Sequence, residues 1–252
     1  MPKPHLRRQQ TGTVPATPHI GVVRDVDELA SFYARPRKGV RVNMIFSADG
    51  AAAFAGRAGP LSSAIDQELL KILRGFADVV LVGAGTARAE DYGPVQLTET
   101  QRGMRHRDGR AKPPPIAVIS QTGELPPKLL SRPDQPALLV TSAVAAARHH
   151  RAGTQPCGVL VAGEKSVDVV RAVALLGNHG LCRVLCEGGP TLLDELVQSD
   201  AVDEMCVTLA PKLAAHQPTG TRSQSSRLPA PTTLRLEHAL VCDDYLFVKY
   251  CR

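Results

Sequence analysis

The residues best placed to do chemistry sit in two glycine turns, each at the end of a short apolar run: VGAGTARAE at 82–90 and CEGGPTLLDEL at 186–196. Glycine lets the backbone approach a ligand closely, and Pro190 suits the first position of a helix. The free N–H groups of a helix start could therefore face an anion such as a phosphate. The same residues equally serve a tight strand-to-helix turn that needs glycine for geometry alone. Neither turn is a Walker loop, which requires Gly-Lys-Ser/Thr, and GAGTAR lacks the third glycine of the dinucleotide fingerprint. Taken together in one α/β sheet, however, they suggest two strand ends converging on a phosphate-bearing ligand. Ligands of such sheets sit at the carboxyl ends of the parallel strands.

Other chemistries find little support. There is no Gly-x-Ser-x-Gly elbow, and the eight histidines are scattered, with His149 and His150 reading as a basic helix end. A zinc deaminase would need His-x-Glu with Pro-Cys-x-x-Cys, which is missing. The six cysteines, at 157, 182, 186, 206, 242 and 251, form no Cys-x-x-Cys pair, and most lie in apolar strand-like runs. No disulfide and no metal site is expected. A nicotinamide cofactor brings its own reactive hydride and asks the protein for position and a proton, which suits what remains.

The elements that must position these turns alternate. GVRVNMIFSADG (39–50) reads as a strand delivering a polar turn, and SSAIDQELLKILRGFA (62–77) as a helix. Ser63 and Asp66 resemble a capping box there, and Ile65, Leu69, Ile72, Leu73 and Phe76 fall at helical spacing. DVVLVGAG, PIAVIS (115–120), ALLVTS (137–142) and CGVLVAG (157–163) read as strands buried on both faces. Helices are expected at 142–149, within SVDVVRAVALLGNHG, and at PTLLDELVQS, with the strand LCRVLCE between the last two. Residues 95–114 are polar, basic and Pro-rich, and read as a long surface loop. The result is an α/β fold with a mostly parallel central sheet. VDEMCVTLAPKL, TTLRLEHALVC and DDYLFVKYC follow as strands with little helix between them, so an antiparallel edge is expected at the C-terminal end. AAHQPTGTRSQSSRLPAP (214–231) reads as a loop inside the fold.

At 252 residues and 43% hydrophobic content the chain fits one domain with a buried core, expected over 21–252 behind a mobile tail at 1–20. No apolar run reaches the length of a membrane span and the N-terminus has no apolar h-region, so a cytoplasmic protein is expected. The net charge of +6 is concentrated in residues 1–41, which carry +5, and in 102–112, which carry +4. A nucleic-acid binder would usually add aromatic stacking residues or a motif, yet only 4% of the chain is aromatic; nucleic acid is not the expected partner.

VNMIFSADG, LSSAIDQELLKILRGFADVVLVGAGTARAEDYGP and CEGGPTLLDELVQSDAVDEMCVTLAP, in this order, resemble the pyrimidine reductase of riboflavin biosynthesis. This is the reductase domain often fused behind a deaminase in bacteria, and the resemblance covers roughly residues 40–250. It implies a dihydrofolate reductase-like three-layer sandwich, a stand-alone reductase, a homodimer, and NADPH as cofactor. By resemblance the substrate is 5-amino-6-(5-phosphoribosylamino)uracil, whose ribose is reduced to ribityl. Gly83, Gly85 and Thr86 would line the cofactor, and Gly188, Gly189, Pro190, Thr191 and Leu192 would hold its pyrophosphate. Asn43, Ser47 and Asp49 would approach the substrate, Ser62 or Ser63 would match a Thr/Ser at the helix start, and Arg74 would match a substrate-facing Leu-Arg position. Asp49 is the first candidate to steer or relay the proton, and Glu187, where substrate and nicotinamide meet, the second. Residues for the 2′-phosphate are sought after plausible strands, at Ser120, Thr141, Ser142 and Arg148.

Two departures bear on substrate. The family commonly has Lys or Arg after Ser-x-Asp-Gly, where this chain has Ala51, and EDYGPVQLT replaces its Asp-Asp-Pro-x-Leu-Thr. Arg102, Arg105 or Arg107 could replace the lost phosphate contacts, since a guanidinium fork binds phosphate well. The departures keep two alternatives open: an NADPH-dependent pterin or dihydrofolate reductase on the same fold, and a non-catalytic NADPH-binding protein.

Overall fold

A computed structural model describes residues 17–34, 36–110, 112–151, 157–215 and 228–252. Strands β1 (His19–Val22), β2 (Gly39–Ser47), β3 (Val79–Gly83), β4 (Ile116–Ile119), β5 (Leu138–Thr141), β6 (Gly158–Val161), β7 (Arg183–Cys186), β8 (Glu204–Ala210), β9 (Arg235–Cys242) and β10 (Tyr245–Cys251) form one sheet. Its order is β1-β9-β10-β8-β2-β7-β3-β4-β5-β6. Helices are α1 (Val26–Ser31), α2 (Ala64–Phe76), α3 (Ala84–Ala89), α4 (Glu99–Arg107), α5 (Ala143–Arg151), α6 (Val169–Asn178) and α7 (Pro190–Gln198).

Alternation along the central strands sorts side chains into two cores. On β3, Val80 and Val82 join Leu69 and Leu73 of α2, whereas Val79 and Leu81 join Leu176 of α6 and Leu192 and Leu196 of α7. The sheet is therefore covered on both faces, and each fully buried leucine contributes roughly 1.5–3 kcal/mol. The helix starts are fixed locally. Ser63 accepts the Asp66 N–H at 3.2 Å, and Asp168 accepts from Val170 and Arg171 at 2.9 and 3.1 Å.

Four expectations need correction. His19 and Ile20, expected in the tail, pair with β9, and residues 1–16 lie outside the described residues. The C-terminal strands β8, β10 and β9 pair antiparallel as expected, but they do not form the edge of the sheet. β10 is the one reversed strand among the described residues and lies inside the sheet, and β1, parallel to β9, closes that side. β6 is not buried on both faces but forms the opposite edge, with Val159 and Val161 exposed.

The expected loop at 95–114 contains α4. Its inward residues are polar rather than apolar, so no hydrophobic period announces it. Gln101 donates to the Lys71 carbonyl at 3.3 Å, and Arg105 to those of Gly75, Ala77 and Lys112 at 2.5–3.1 Å. Arg105 thus satisfies the orphan carbonyls at the end of α2. Of the expected loop at 214–231, residues 216–227 lie outside the described residues.

Candidate active site

A cleft of about 1100 Å³ opens at the carboxyl ends of the central strands, on the α2 side of the sheet. β2 supplies Asn43 and Ile45, and the turn after it supplies Asp49 and Ala51. One face of α2 supplies Asp66, Leu70 and Arg74 at successive turns, with Gln67 and Lys71 beside them. Thr86 and Tyr92 come from α3 and the chain after it, and Glu187, Gly189 and Pro190 from the second glycine turn.

The two glycine turns meet. β3 and β7 are neighbours, and the Gly83 N–H donates to the Gly188 carbonyl at 2.9 Å. A Cβ at Gly189 would stand 2.3 Å from Thr86 Oγ1, and one at Gly188, where φ is +86°, 2.9 Å from Met44 Sδ. Glycine is favoured at 188 by the positive φ and at 189 by the close approach of the Thr86 hydroxyl. A Cβ at Gly85, by contrast, would meet nothing within 4 Å, so the start of α3 faces open space. α7 begins on the cleft with Gly189 as its cap residue and Pro190 at its first position, leaving the first-turn N–H groups of Thr191 and Leu192 without helical acceptors. These surroundings fit the phosphates of a dinucleotide. Gly83, Gly85, Gly188, Thr191 and Leu192 are not among the residues that border the cleft, and the Leu192 side chain is buried in the core. Any contact from the glycines and from Leu192 is through the backbone.

Glu187 is the hub of the cleft. Arg74 grips it with both arms of its guanidinium, Nε to Oε1 and Nη2 to Oε2, each at 2.7 Å, while the Tyr92 hydroxyl donates to Oε2 at 2.6 Å. The Arg74 guanidinium also stacks over the Tyr92 ring, 5.2 Å from its centre. Burial works against the Arg74 charge, but the Glu187 carboxylate outweighs it and pulls the guanidinium above its ordinary range. Burial, reinforced by Glu187, pushes the Tyr92 phenol well above its usual value. Tyr92 stands in the EDYGP segment, which thereby supplies a side chain to Glu187.

Asp49 is exposed at the rim. Its carboxylate accepts from Ser47 Oγ at 2.5 Å and from the backbone N–H groups of Ala214 and Ala215 at 3.1 and 2.8 Å. The Ser47 hydroxyl first, then these backbone donors, hold it below the usual carboxylate range. It is therefore ionised at neutral pH and latches 211–215 to the turn. Ser47 itself is buried beneath Asp49 and off the cleft.

Ser62, not Ser63, lines the cleft; Ser63 is the helix cap. Arg102, Arg105 and Arg107 do not reach it, Arg102 being turned to the Leu97 carbonyl and Arg105 to α2. Ser120, Thr141 and Ser142 are buried and engaged in turns: Ser120 Oγ accepts from Gly123, Thr141 donates to the Ser120 carbonyl, and Ser142 accepts from Ala145. Arg148 is exposed on α5. Two cleft residues escaped the sequence: Tyr92, and Asp66, whose position three residues into α2 is that of an ordinary capping acid. Among the described residues no cluster of His, Cys, Asp and Glu could hold a metal, and no helix is long and apolar enough to cross a membrane.

A mostly parallel sheet between two helical layers, with glycine turns meeting at a cleft on its carboxyl end, defines an α/β reductase of the dihydrofolate reductase-like fold. Within that class, residues 38–247 match the RibD C-terminal domain, and the chain belongs to that family. It is 28% identical over 215 residues to the 2,5-diamino-6-ribosylamino-4(3H)-pyrimidinone 5′-phosphate reductase of Archaeoglobus fulgidus, covering 84% of this chain and 90% of that protein. It superposes on a pyrimidine reductase-like protein from Corynebacterium diphtheriae with a TM-score of 0.77 at 26% identity, over 90% of this chain and 98% of the other. A Thermotoga maritima deaminase/reductase shares the fold, with a TM-score of 0.61 at 16% identity over 85% of this chain and 56% of its own. Membership makes the protein an oxidoreductase that works with a nicotinamide cofactor.

Proposed function

We propose that the protein uses NADPH to reduce the ribosyl group of a phosphorylated ribosylaminopyrimidine to ribityl, a step of riboflavin biosynthesis. The observation that carries this is the junction of the two glycine turns, joined through Gly83 and Gly188, beside the Arg74–Glu187–Tyr92 cluster on one cleft. The backbone of Gly83, Gly85 and Gly188 to Leu192, with the Thr86 hydroxyl, would hold the cofactor, which supplies hydride for C1′ of the opened sugar. We assign a 2′-phosphate to exposed Arg148 on α5, and titration of wild type and R148A with NADPH and NADH tests it.

The chain's own work is positioning. Asn43, Leu70 and Arg74 border the space where the substrate would lie, and Glu187 fixes Arg74. That arrangement brings the reacting carbons to near-attack geometry away from bulk water. Ionised Asp49 has no proton to give at neutral pH, and both Glu187 oxygens are occupied by Arg74 and Tyr92, so these carboxylates orient rather than protonate. With Ala51 lacking a charge, the substrate phosphate falls to Arg57 and Lys71 at the cleft mouth. Their present partners, Glu90 at 3.6 Å and Glu68 at 2.9 Å, form exposed pairs worth little and readily exchanged.

We place the enzyme in the cytoplasm as a homodimer. The C-terminal strands have both edges paired, so a second copy would meet an edge such as β6; light scattering of the purified protein reads the state. Ala51 also favours a second substrate, a pterin, which needs no phosphate site. The test is NADPH oxidation with the ribosylaminopyrimidine phosphate and dihydrofolate offered in parallel. Turnover of the pyrimidine is expected, and turnover of dihydrofolate alone would replace this assignment by the second.

A further inference from the structure

Tyr92 touches both members of the cleft ion pair. Its hydroxyl donates to Glu187 Oε2 at 2.6 Å, and the Arg74 guanidinium carbon lies 5.2 Å from the centre of its ring. The backbone fixes where that side chain starts. Just past the end of α3, Asp91 takes the left-handed conformation, with φ +50°, and its carboxylate accepts from Lys128 at 2.7 Å. The Tyr92 N–H then donates to the Ala87 carbonyl at 2.9 Å. α3 thus opens at the first glycine turn and delivers Tyr92 at its far end, while Glu187 stands at the second turn and Arg74 on α2. One short segment, 83–92, therefore joins the proposed cofactor wall to the ion pair that borders the substrate space. Charge balance does not call for the phenol, because Arg74 already neutralises Glu187 through two hydrogen bonds. What the hydroxyl adds is direction: a carboxylate held from one side can swing with its guanidinium, and a donor from a second element removes that freedom. The phenol is also a poor source of a proton for the reaction. Burial, reinforced by Glu187, holds it well above its usual value, so it remains a hydrogen-bond donor.

We propose that Tyr92 is a positioning residue for hydride transfer: acting through Glu187, it holds the Arg74 guanidinium in register with the cofactor wall. This rests on the proposed function for the reaction that Tyr92 serves, though not for the contacts it makes. Substrate binding needs Arg74 to be present, whereas near-attack geometry needs it to stay in place. Loss of the hydroxyl should therefore be read in kcat rather than in KM.

The experiment measures kcat and KM with NADPH and the ribosylaminopyrimidine phosphate in wild type, Y92F, E187Q and Y92F/E187Q. Y92F keeps the ring beside Arg74 and removes only the hydroxyl. It is expected to lower kcat roughly 10-fold, the scale of one hydrogen bond to a charged group, with KM and the NADPH dissociation constant changed less than about 2-fold. Deuterium on the transferred hydride should slow Y92F at least as much as wild type, which places the loss in the hydride step. In the E187Q background the same change should cost less than about 2-fold more, since the residue through which Tyr92 acts is already lost. A structural role would move Tm and leave kcat per folded molecule as it was. Wild-type kcat in folded Y92F overturns the proposal, as do a loss confined to KM, a smaller isotope effect, or a full further 10-fold loss on top of E187Q. Proton exchange separates this proposal from the broader one. In protein with labelled arginines, the Arg74 Nε–H resonance, assigned by its absence in R74K, should exchange with water roughly 10-fold faster in Y92F. Should wild type reduce neither the pyrimidine phosphate nor dihydrofolate, the reductase assignment fails, but faster exchange would still uphold Tyr92 as the holder of Arg74. Unchanged exchange would remove it.

Discussion

The molecule contains two buried ion clusters of similar make-up and opposite setting. In the cleft, Glu187 takes both arms of Arg74 and the Tyr92 hydroxyl. Within the sheet, Arg41 donates to Glu204 at 2.7 Å, while Lys249 stands 3.1 Å from Glu204 and 2.9 Å from Glu237. The cleft cluster is satisfied at both carboxylate oxygens, and a fifth of its arginine side chain remains exposed to the cavity. The sheet cluster is sealed: its arginine, glutamate and lysine side chains are 6%, 2% and 3% exposed, and Arg41 Nη2 has no partner among the described residues. His238 beside it is pushed down to about 4 by burial and by the Lys249 charge, so it stays neutral. One cluster holds a tool at a working face; the other holds strands together. Because a buried ion pair contributes little net stability over apolar residues of the same shape, geometry rather than stability explains why the first is there.

Charge-removing variants break this comparison most sharply. E187Q should lower kcat/KM by about 100-fold or more, since Arg74 and Tyr92 lose the anion that orients them. R74A should do the same and also destabilise the fold by roughly 3–5 kcal/mol, because Glu187 is left buried with only a phenol. An apolar pair, R74M/E187L, should regain most of that stability with none of the activity. Steady-state kinetics and urea melts on the same samples separate the two effects, and recovered activity in the pair would mean that the cluster is structural after all.

K249M should match R74A in stability, losing roughly 3–5 kcal/mol, yet leave kcat/KM per folded molecule unchanged. Replacing Arg41, Glu204 and Lys249 together by methionine and leucine should come out near neutral. A fall in catalytic efficiency with either set would show that the sheet cluster communicates with the cleft.

The sequence disclosed the cleft cluster unequally. Glu187 and Arg74 were legible through motifs, and the two glycine turns through strand ends that had to converge. Tyr92 was hidden because the segment that carries it departs from the family pattern. Asp66 was hidden because an acid at a helix start already has a sufficient local reason. The same principle governs the fold. α2 was legible from its apolar period, whereas α4 docks through Gln101 and Arg105 on carbonyls of α2, a contact without period. β1 was lost in a polar N-terminal segment, since an edge strand with exposed Ile20 and Val22 needs no buried alternation.

A smaller effect tests how closely the two turns must approach. G189A places its methyl against Thr86 Oγ1 and should cost roughly 1–3 kcal/mol, with weaker NADPH binding. T86A in the same chain removes the clashing oxygen and leaves Thr86 Cβ, 3.7 Å from the new methyl, as an ordinary contact. Stability should therefore return in the double variant. If cofactor affinity returns with it, Gly189 serves the packing of the turn; if affinity stays low, the glycine or the Thr86 hydroxyl faces the cofactor itself. Fluorescence titration with NADPH distinguishes the two.

The smallest effect has the most informative sign. Burial raises the Asp66 carboxyl in the folded protein, whereas the unfolded chain titrates near the ordinary value of about 3.9. Below that value both states hold the proton and the group is neutral to stability. Between it and the raised folded value, the folded chain keeps a proton that the unfolded chain has released. Above that window the group therefore lowers stability. D66N removes the charge but keeps an acceptor for Ser62, so it should raise Tm at pH 7, with a gain that shrinks as pH falls through that window and disappears below it. Scanning calorimetry across pH checks the trend, and a lower Tm for D66N at pH 7 would make Asp66 a structural acid. Neither Arg74 nor Lys249 can yield a gain of this kind, because each already neutralises a partner. Asp66 is a buried carboxyl that accepts from two hydroxyls, with no ion pair among the described residues.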